Sequence, residues 1–223
     1  MFERFTEPAR RVVELALDES DRLGHGYLGA EHVLAGIAAH GGGPAARVLR
    51  EAGLDAPAVL AGLDQLVSQG VLPHPQHGAA GLLGSLGVDV AAVRRAAEEN
   101  FGRPAVDEAA RRVSRRPWWR GRGPGWTPLC GKALAAKQAF YLASVAADAL
   151  GHASVGPEHL LLGVLGDAEA PARWTRRTHR VAAQLGLPRQ PGPHPARVLL
   201  SAHGLTIVAL REMMLAELRA AST

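Results

Sequence analysis

One stretch of this sequence occurs twice, and the repetition limits the folds that the chain can adopt. Residues 23–37 read LGHGYLGAEHVLAGI, and residues 150–164 read LGHASVGPEHLLLGV with no gap, at an offset of 127 (150 − 23). Leu, Gly, His, Gly, Glu, His, Leu and Gly recur in register, which is too many identities for two unrelated segments. The chain is therefore predicted to be an internal duplication.

Each copy has the pattern of a joint between two helices. Gly24 and Gly151 follow amphipathic runs and suit a helix C-cap, where a left-handed backbone favours glycine. Gly29 and Gly156 precede a new apolar run that opens with a carboxylate, which is typical of a helix N-terminus. Each copy predicts a helix-turn-helix joint.

The composition favours helices throughout. Of the 223 residues, 47% are hydrophobic and only 4% are aromatic, which favours close-packed short helices over a sheet. The predicted fold is all-α. No run approaches the roughly 20 apolar residues that a membrane span needs, and the charged N-terminal region does not resemble a signal peptide. We expect a cytoplasmic protein with no membrane partner.

The first repeat is predicted to hold four helices, followed by one extra helix. Glycine and proline after His40 and glycine after Ala52 provide stop signals. The predicted helices of the repeat run from the N-cap Thr6 to Leu23 and over residues 31–40, 45–52 and 57–67. The extra helix is predicted over residues 88–101, with Asp89 as its cap.

The second repeat has an ambiguous start. Thr127 followed by Pro128 suits an N-cap and first helical position, whereas the constant offset aligns Thr6 with Ala133. Either its first helix is longer than its counterpart, or a segment is inserted.

A second insertion is predicted later in this repeat. Ala-Arg-Val-Leu at 46–49 recurs at 196–199, an offset of 150 (196 − 46), so 23 extra residues (150 − 127) separate the second and third helices. We place this insertion at about 167–195. The fourth helix is predicted over 207–218.

The duplicated Leu-Gly-His…Gly-x-Glu-His-x-Leu joint, preceded by Met1-Phe-Glu-Arg-Phe-Thr6, resembles the N-terminal (Clp repeat) domain of the Clp AAA+ unfoldases, especially the actinobacterial ones. The resemblance implies a non-enzymatic domain of two four-helix repeats related by a pseudo-two-fold axis, without a cofactor. It also implies docking of substrates and adaptors, with Clp unfoldase or protease components as partners. Because no phosphate-binding glycine-rich loop is visible, we expect a stand-alone protein without the ATPase ring.

The predicted organisation has four parts. They are a first repeat over 1–70, a loop and extra helix over 71–102, a basic linker over 103–126, and a second repeat over 127–220 that includes the insertion.

The resemblance singles out Glu31 with Thr6 in the first repeat and Glu158 with Thr127 in the second. In the family, the glutamate binds phosphoarginine or basic segments: the carboxylate pairs with the guanidinium, and a helix N-terminus with its threonine takes the phosphate. The alternative is that each glutamate only stabilises the positive end of a helix dipole. Since Ala133 aligns with Thr6, we expect Glu31→Ala to cost more binding than Glu158→Ala in a calorimetric titration.

Phe2 has two possible roles. In actinobacterial members of the family, a phenylalanine near the N-terminus contributes to a groove for cyclic-peptide antibiotics. The alternative is a plug for the apolar core. Its counterpart in the second repeat would be Trp126 only if that repeat starts early.

Histidines suggest metal sites, but packing explains them better. His25, His32, His152 and His159 recur as pairs, and residues that recur in both halves usually serve shared packing, so we predict core hydrogen bonds. A separate group, His40, His74 and His77, has no carboxylate or cysteine beside it, which favours a solvated loop. The single cysteine, Cys130, rules out an intramolecular disulfide.

The linker supports an alternative function. The net charge is +4, and arginines crowd residues 111–122, interleaved with Trp118 and Trp119. Such a segment suits binding of nucleic acid or an anionic surface, and a flexible connector is the preferred interpretation. Binding that falls steeply with salt would favour nucleic acid over a peptide.

Overall fold

The computed structural model describes residues 2–25, 27–72, 89–106, 108, 135–170 and 193–221. Apart from one isolated bridge between Phe5 and Val155, these residues contain no extended pairing and the ordered elements are helices. The all-α prediction is confirmed. After a short 3₁₀ turn at Phe2–Arg4, the first repeat consists of α1 (Glu7–Arg22), α2 (Ala30–His40), α3 (Gly43–Glu51) and α4 (Ala56–Ser68).

The second repeat has the same order of helices. An extra helix, α5 (Val90–Phe101), lies between the repeats in the sequence, as predicted. The second repeat follows with α6 (Lys137–Ala149), α7 (Pro157–Glu169), α8 (Pro195–Ala202) and α9 (Ile207–Ala221).

Side-chain caps define several helix starts at the predicted residues. The Thr6 hydroxyl accepts the Ala9 N–H at 3.3 Å, which confirms Thr6 as the N-cap of α1. The Asp89 carboxylate accepts the Ala92 N–H at 3.0 Å and caps α5 in the same way. Such a cap satisfies one of the amides that the first turn leaves without a helical partner, and it contributes about 1 kcal/mol.

The centre of the core is formed by α2 and α7, which pack against each other across the two repeats. In each repeat the first helix covers the second, α1 on α2 and α6 on α7. From Ala30 to Ala38 every residue of α2 is buried, which is expected of a helix enclosed on all sides.

One glycine in each repeat permits the close approach of these helix pairs. A Cβ at Gly36 of α2 would lie 2.3 Å from the Val12 carbonyl oxygen of α1. A Cβ at Gly163 of α7 would lie 2.1 Å from the Ala139 carbonyl oxygen of α6. Both glycines and both carbonyls are related by the offset of 127, so the predicted duplication is confirmed at the level of packing.

The third and fourth helices follow the larger offset. Leu49 of α3 and Leu199 of α8 are both buried, and both belong to the recurring Ala-Arg-Val-Leu segment. The helix α8 begins after the predicted insertion and packs on α2 and α4. The interpretation that extra residues separate α7 from α8 therefore agrees with where these helices lie.

The start of the second repeat is described only from residue 135 onwards. Its first described helix begins at Lys137, and its N-cap, Ala136, offers no side-chain cap. Thr127 is ten positions before this helix, so the choice between a longer first helix and an inserted segment stays a prediction. Thr127 itself, Ala133, Cys130 and most of the linker and insertion lie outside the described residues.

No single helix in the described ranges is long and apolar enough to cross a membrane. The pair α8 and α9 passes that test only when taken together, by length and composition, and the two helices are bent by 86° relative to each other.

Replacing either crossing glycine by alanine should destabilise the fold. Because the added Cβ meets a backbone carbonyl, Gly36→Ala and Gly163→Ala should each lower the free energy of unfolding by about 1–3 kcal/mol, as overpacking does. Urea denaturation measures the loss. Gly53→Ala is not a suitable control, since Gly53 has a φ of +75°; Ala61→Gly on α4 reports the ordinary propensity effect of about 1 kcal/mol. Wild-type stability in both glycine variants would contradict the crossing.

Candidate functional site

Backbone hydrogen bonds connect the joint of each repeat to the opposite repeat. The Thr6 N–H donates to the Val155 carbonyl at 3.0 Å, and the Val155 N–H donates to the Arg4 carbonyl at 2.8 Å. In the other direction, the Ala136 N–H donates to the Leu28 carbonyl at 3.0 Å. The joint of each repeat therefore lies against the start of the first helix of the other repeat.

The Arg4 side chain adds further contacts between the N-terminal segment and the second joint. Its guanidinium donates to the carbonyls of Ala153 (3.1 Å) and His152 (3.2 Å) and pairs with Asp148 at 2.7 Å. The hydrogen bond from Arg4 lowers the pKa of the Asp148 carboxyl. The second joint is thereby fixed to the N-terminal segment by both backbone and side chain.

Paired histidines shape each joint from inside. His32 Nδ1 accepts the Gly29 N–H at 2.9 Å, so its Nε2 carries the proton and donates to His25 Nδ1 at 2.8 Å. Burial lowers the pKa of His32 well below its ordinary value, which keeps the ring neutral. Here a histidine takes the position of a capping box in which Glu or Gln usually accepts the N-cap amide.

The second joint repeats the same arrangement. His159 Nδ1 accepts the Gly156 N–H at 2.8 Å, and its Nε2 lies 2.8 Å from His152 Nδ1. The predicted hydrogen bonds are present for all four histidines, but only His25, His32 and His159 are buried, and His152 is exposed.

Of the histidines His40, His74 and His77, only His40 lies within the described residues. The His40 ring lies against the Gly42 backbone at the end of α2, with Nδ1 3.3 Å from the carbonyl oxygen. His74 and His77 lie outside the described residues. Within the described ranges, no group of three His, Cys, Asp or Glu has the geometry to hold a metal ion.

Each candidate glutamate folds back over the glycine that precedes its helix. A Cβ on Gly29 would lie 2.1 Å from Glu31 Oε1, and a Cβ on Gly156 would lie 2.1 Å from Glu158 Oε1. Both carboxylates lie in the first turn of their helices, α2 and α7, as the dipole interpretation predicts. Only glycine leaves room for a carboxylate in this position.

Glu31 is enclosed. Its side chain is 5% exposed, and its Oε1 has no hydrogen-bond partner among the described residues. Oε1 is 3.4 Å from His32 Nδ1, but that nitrogen already accepts the Gly29 N–H, so the neutral ring donates nothing to it. Burial raises the pKa of Glu31, although its own backbone N–H, His194 and the Tyr27 hydroxyl lower it. Ionisation of this carboxyl is therefore unfavourable.

Glu158 is more accessible and is more easily ionised. Its side chain is 19% exposed. Burial raises its pKa, but hydrogen bonds with His159 and with its own backbone N–H outweigh burial, and the pKa lies below its ordinary value. The nearest ring atom, His159 Nδ1, lies 3.1 Å from Glu158 Oε1.

The two joints also differ at one aligned position beside the glutamates. Tyr27 covers the first joint: it is buried, stacks on His25 with ring centroids 5.2 Å apart, and hydrogen-bonds with Glu31. The Ser20 hydroxyl holds the Tyr27 carbonyl at 2.7 Å. The offset of 127 places Ser154 opposite Tyr27, and Ser154 is exposed. The first joint is closed by an aromatic side chain that the second lacks.

The three aromatic rings near the N-terminus form one cluster. Phe2 meets Phe5 at 5.1 Å and Phe140 at 5.5 Å between ring centroids, both edge to face. Phe5 and Phe140 are buried, and Phe2 is half-buried on top of them. Phe2 therefore packs on the core and keeps one accessible side, and its predicted counterpart Trp126 lies outside the described residues.

The structure differs from the predicted pairing of site residues. Thr6 was paired with Glu31, yet its backbone hydrogen bond joins it to the second joint, three residues before Glu158. Burial also runs against the predicted preference for Glu31. Sequence reasoning missed Arg4 and Tyr27, and the mismatch of Tyr27 with Ser154 in the aligned copies was the available signal for the second.

The chain has similarities to known proteins. Residues 4–79 match the family model of the Clp repeat (R) N-terminal domain. The crystal structure of the N-terminal domain of the caseinolytic protease associated chaperone ClpD from Arabidopsis thaliana is also similar, at 17% identity and a TM-score of 0.40, covering 98% of this chain and 97% of that one.

The relatives that this chain matches are much longer proteins. A probable ATP-dependent Clp protease ATP-binding subunit from Chlamydia pneumoniae is 31% identical over 77% of this chain and 14% of its own length. The chloroplastic chaperone protein ClpC of Pisum sativum is 28% identical over 77% of this chain and 13% of its own. The chaperone protein ClpB of Oceanobacillus iheyensis is 29% identical, with shares of 77% and 15%. This chain thus spans about one seventh of the relatives that it matches.

The Glu31→Gln variant should be more stable than the wild type at neutral pH. A raised pKa in the folded state means that the protonated carboxyl stabilises the fold below the ordinary value of 4.5, and that this contribution is lost as the pH rises through the folded pKa. The neutral amide avoids that loss, so the variant should show no gain below pH 4.5 and a gain of about 1–3 kcal/mol over wild type once the pH exceeds the folded pKa.

Urea denaturation at a series of pH values measures this difference. Glu158→Gln is the matched control and should show no such gain, because the pKa of Glu158 is lowered. A constant difference between Glu31→Gln and wild type at every pH would contradict the enclosed, protonated Glu31.

Proposed function

We propose that this chain is a non-enzymatic docking module that binds arginine-bearing segments of other proteins at the second joint, with Glu158 as the carboxylate that pairs with the guanidinium. The observation that carries the proposal is the contrast between the two joints: Glu158 is accessible and ionised where Glu31 is enclosed. Peptide docking also fits the kind of domain that residues 4–79 match.

The surroundings of Glu158 suit a cationic ligand. The joint carries the exposed Ser154 and lies against Thr6 at the start of α1. An arginine side chain can reach a carboxylate through two parallel N–H···O bonds, which are stronger than bonds between neutral groups. No covalent step or cofactor is needed for this function.

The N-terminus of α1 favours plain arginine over phosphoarginine. A phosphate at a helix N-terminus needs free backbone N–H groups. Pro8 has no N–H, and the Ala9 N–H is already held by the Thr6 hydroxyl at 3.3 Å. With two of the first amides lost, the guanidinium contributes most of the recognition, and a phosphate adds little.

The partners that we propose are Clp unfoldase or protease components and their substrates. The matched relatives are named as Clp subunits and chaperones, and the present chain corresponds to a small share of each. A domain of this kind would act with an unfoldase or compete with it for adaptors. The half-buried Phe2 offers a second contact area, where a cyclic-peptide antibiotic is the expected ligand of the family.

The alternative of nucleic-acid binding stays a prediction. The arginines and tryptophans of residues 111–122 lie outside the described residues, and no described contact favours that function.

Isothermal titration with an arginine-rich peptide tests the proposed site. Glu158→Gln should weaken binding about 10- to 100-fold, because it removes one charge-assisted pair. Glu31→Gln is the matched control and should bind as the wild type does. An arginine-phosphate peptide of the same sequence should bind with similar affinity. Equal losses in the two variants, or a loss only in Glu31→Gln, would contradict the assignment.

Exchanging Tyr27 and the equivalent Ser154 should change which of the two joints binds the peptide. Tyr27→Ser uncovers Glu31 and should raise the stoichiometry from one peptide to two, whereas Ser154→Tyr should cover Glu158 and reduce binding at least about tenfold. Calorimetric stoichiometry measures both, and thermal unfolding establishes that each variant is folded. One site of unchanged affinity in both variants would show that Tyr27 does not control access.

A further inference from the structure

The extra helix α5 exposes an apolar stripe. Val93, Ala97 and Phe101 follow one another at intervals of four residues, so they lie along one face. Val93 is 59% exposed and Phe101 is 74% exposed. None of the other described helices packs along α5. A helix of this length is stable in water mainly when its apolar face is covered. The described part of the chain does not cover this face, so the face requires another partner.

The charges beside the stripe follow a simple order. The basic residues Arg94 and Arg95 lie in the N-terminal half of α5, and the acidic residues Glu98 and Glu99 lie in its C-terminal half. Arg94 and Glu98 border the stripe on the same side and are joined within the helix at 2.9 Å. The helix therefore has a positive first half and a negative second half.

We propose that α5 is a self-association surface on which a second copy of this chain docks, with the two α5 helices antiparallel. A two-fold axis at Ala97 sets Val93 of one helix opposite Phe101 of the other, because both residues are four positions from Ala97. The same axis brings the basic half of each helix beside the acidic half of its partner.

The apolar stripe and the charged residues favour the same alignment of the two antiparallel helices. With Ala97 on the axis, Arg94 and the partner's Glu98 differ by two residues along the helix, which is about 3 Å and within reach of these long side chains. The small side chain of Ala97 allows the two backbones to approach at the axis. A surface that is complementary to itself in both shape and charge is the requirement of an isologous dimer, so a second copy is the occupant that these features favour.

Sedimentation velocity of the full chain over a concentration series, up to about 500 µM, tests this dimer, since one short helix pair gives a weak interface. The wild type should show a reversible monomer–dimer equilibrium. Phe101→Ser and Val93→Asp should each weaken dimerisation about tenfold or more. Val145→Asp is the matched control, because Val145 is an exposed apolar residue on α6 and should leave dimerisation unchanged.

Charge reversal separates the antiparallel pair from a general loss of helix stability. Arg94→Glu and Glu98→Arg should each weaken self-association about threefold or more, since each places like charges together. An equimolar mixture of the two variants should associate at least as well as wild type, because every facing pair is then of opposite charge. A chain that stays monomeric throughout, or a dimer that is insensitive to Phe101→Ser, or a mixture that associates no better than the single variants, would overturn the proposal.

Discussion

The close crossing of the first two helices in each repeat is the constraint on which the rest of the structure depends. At Gly36 and Gly163 there is no room for a side chain, and the backbone of one helix rests on the other. This contact fixes the angle at which each joint leaves its helix pair. The joints then meet the starts of α1 and α6 in the opposite repeat, where backbone hydrogen bonds and Arg4 secure them. The site near Glu158 exists because the crossing puts the second joint against Thr6.

The duplicated halves share their packing residues and differ at a position beside the two glutamates. The histidine pairs, the glycines beneath the carboxylates and the crossing glycines are the same in both. Tyr27 and Ser154, by contrast, occupy equivalent positions, and Tyr27 is buried where Ser154 is exposed. A duplication that keeps its packing residues can thus change access to one of its two sites by a single side chain.

Much of the fold could be predicted from the sequence because its signals are local or repeated. The Thr6 and Asp89 caps act within one turn, and the two offsets locate equivalent helices without knowledge of any long-range contact. The start of α6 could not be predicted, because Thr127 and Pro128 have good cap chemistry wherever they occur. The partner of Thr6 was also missed: periodicity shows which face of a helix is buried, but it does not show whether a joint folds onto its own repeat or onto the other.

The hydrogen bonds between each joint and the opposite repeat have a consequence for the folding of the separate repeats. Neither repeat contains all the groups around its own joint, since Val155 needs Arg4 and Thr6, and Leu28 needs Ala136. An isolated repeat would leave these amides and carbonyls without their native partners. Two fragments cut between α4 and α6 should therefore recognise each other and reassemble, as the halves of a complementing pair do, while either fragment alone would remain incompletely folded.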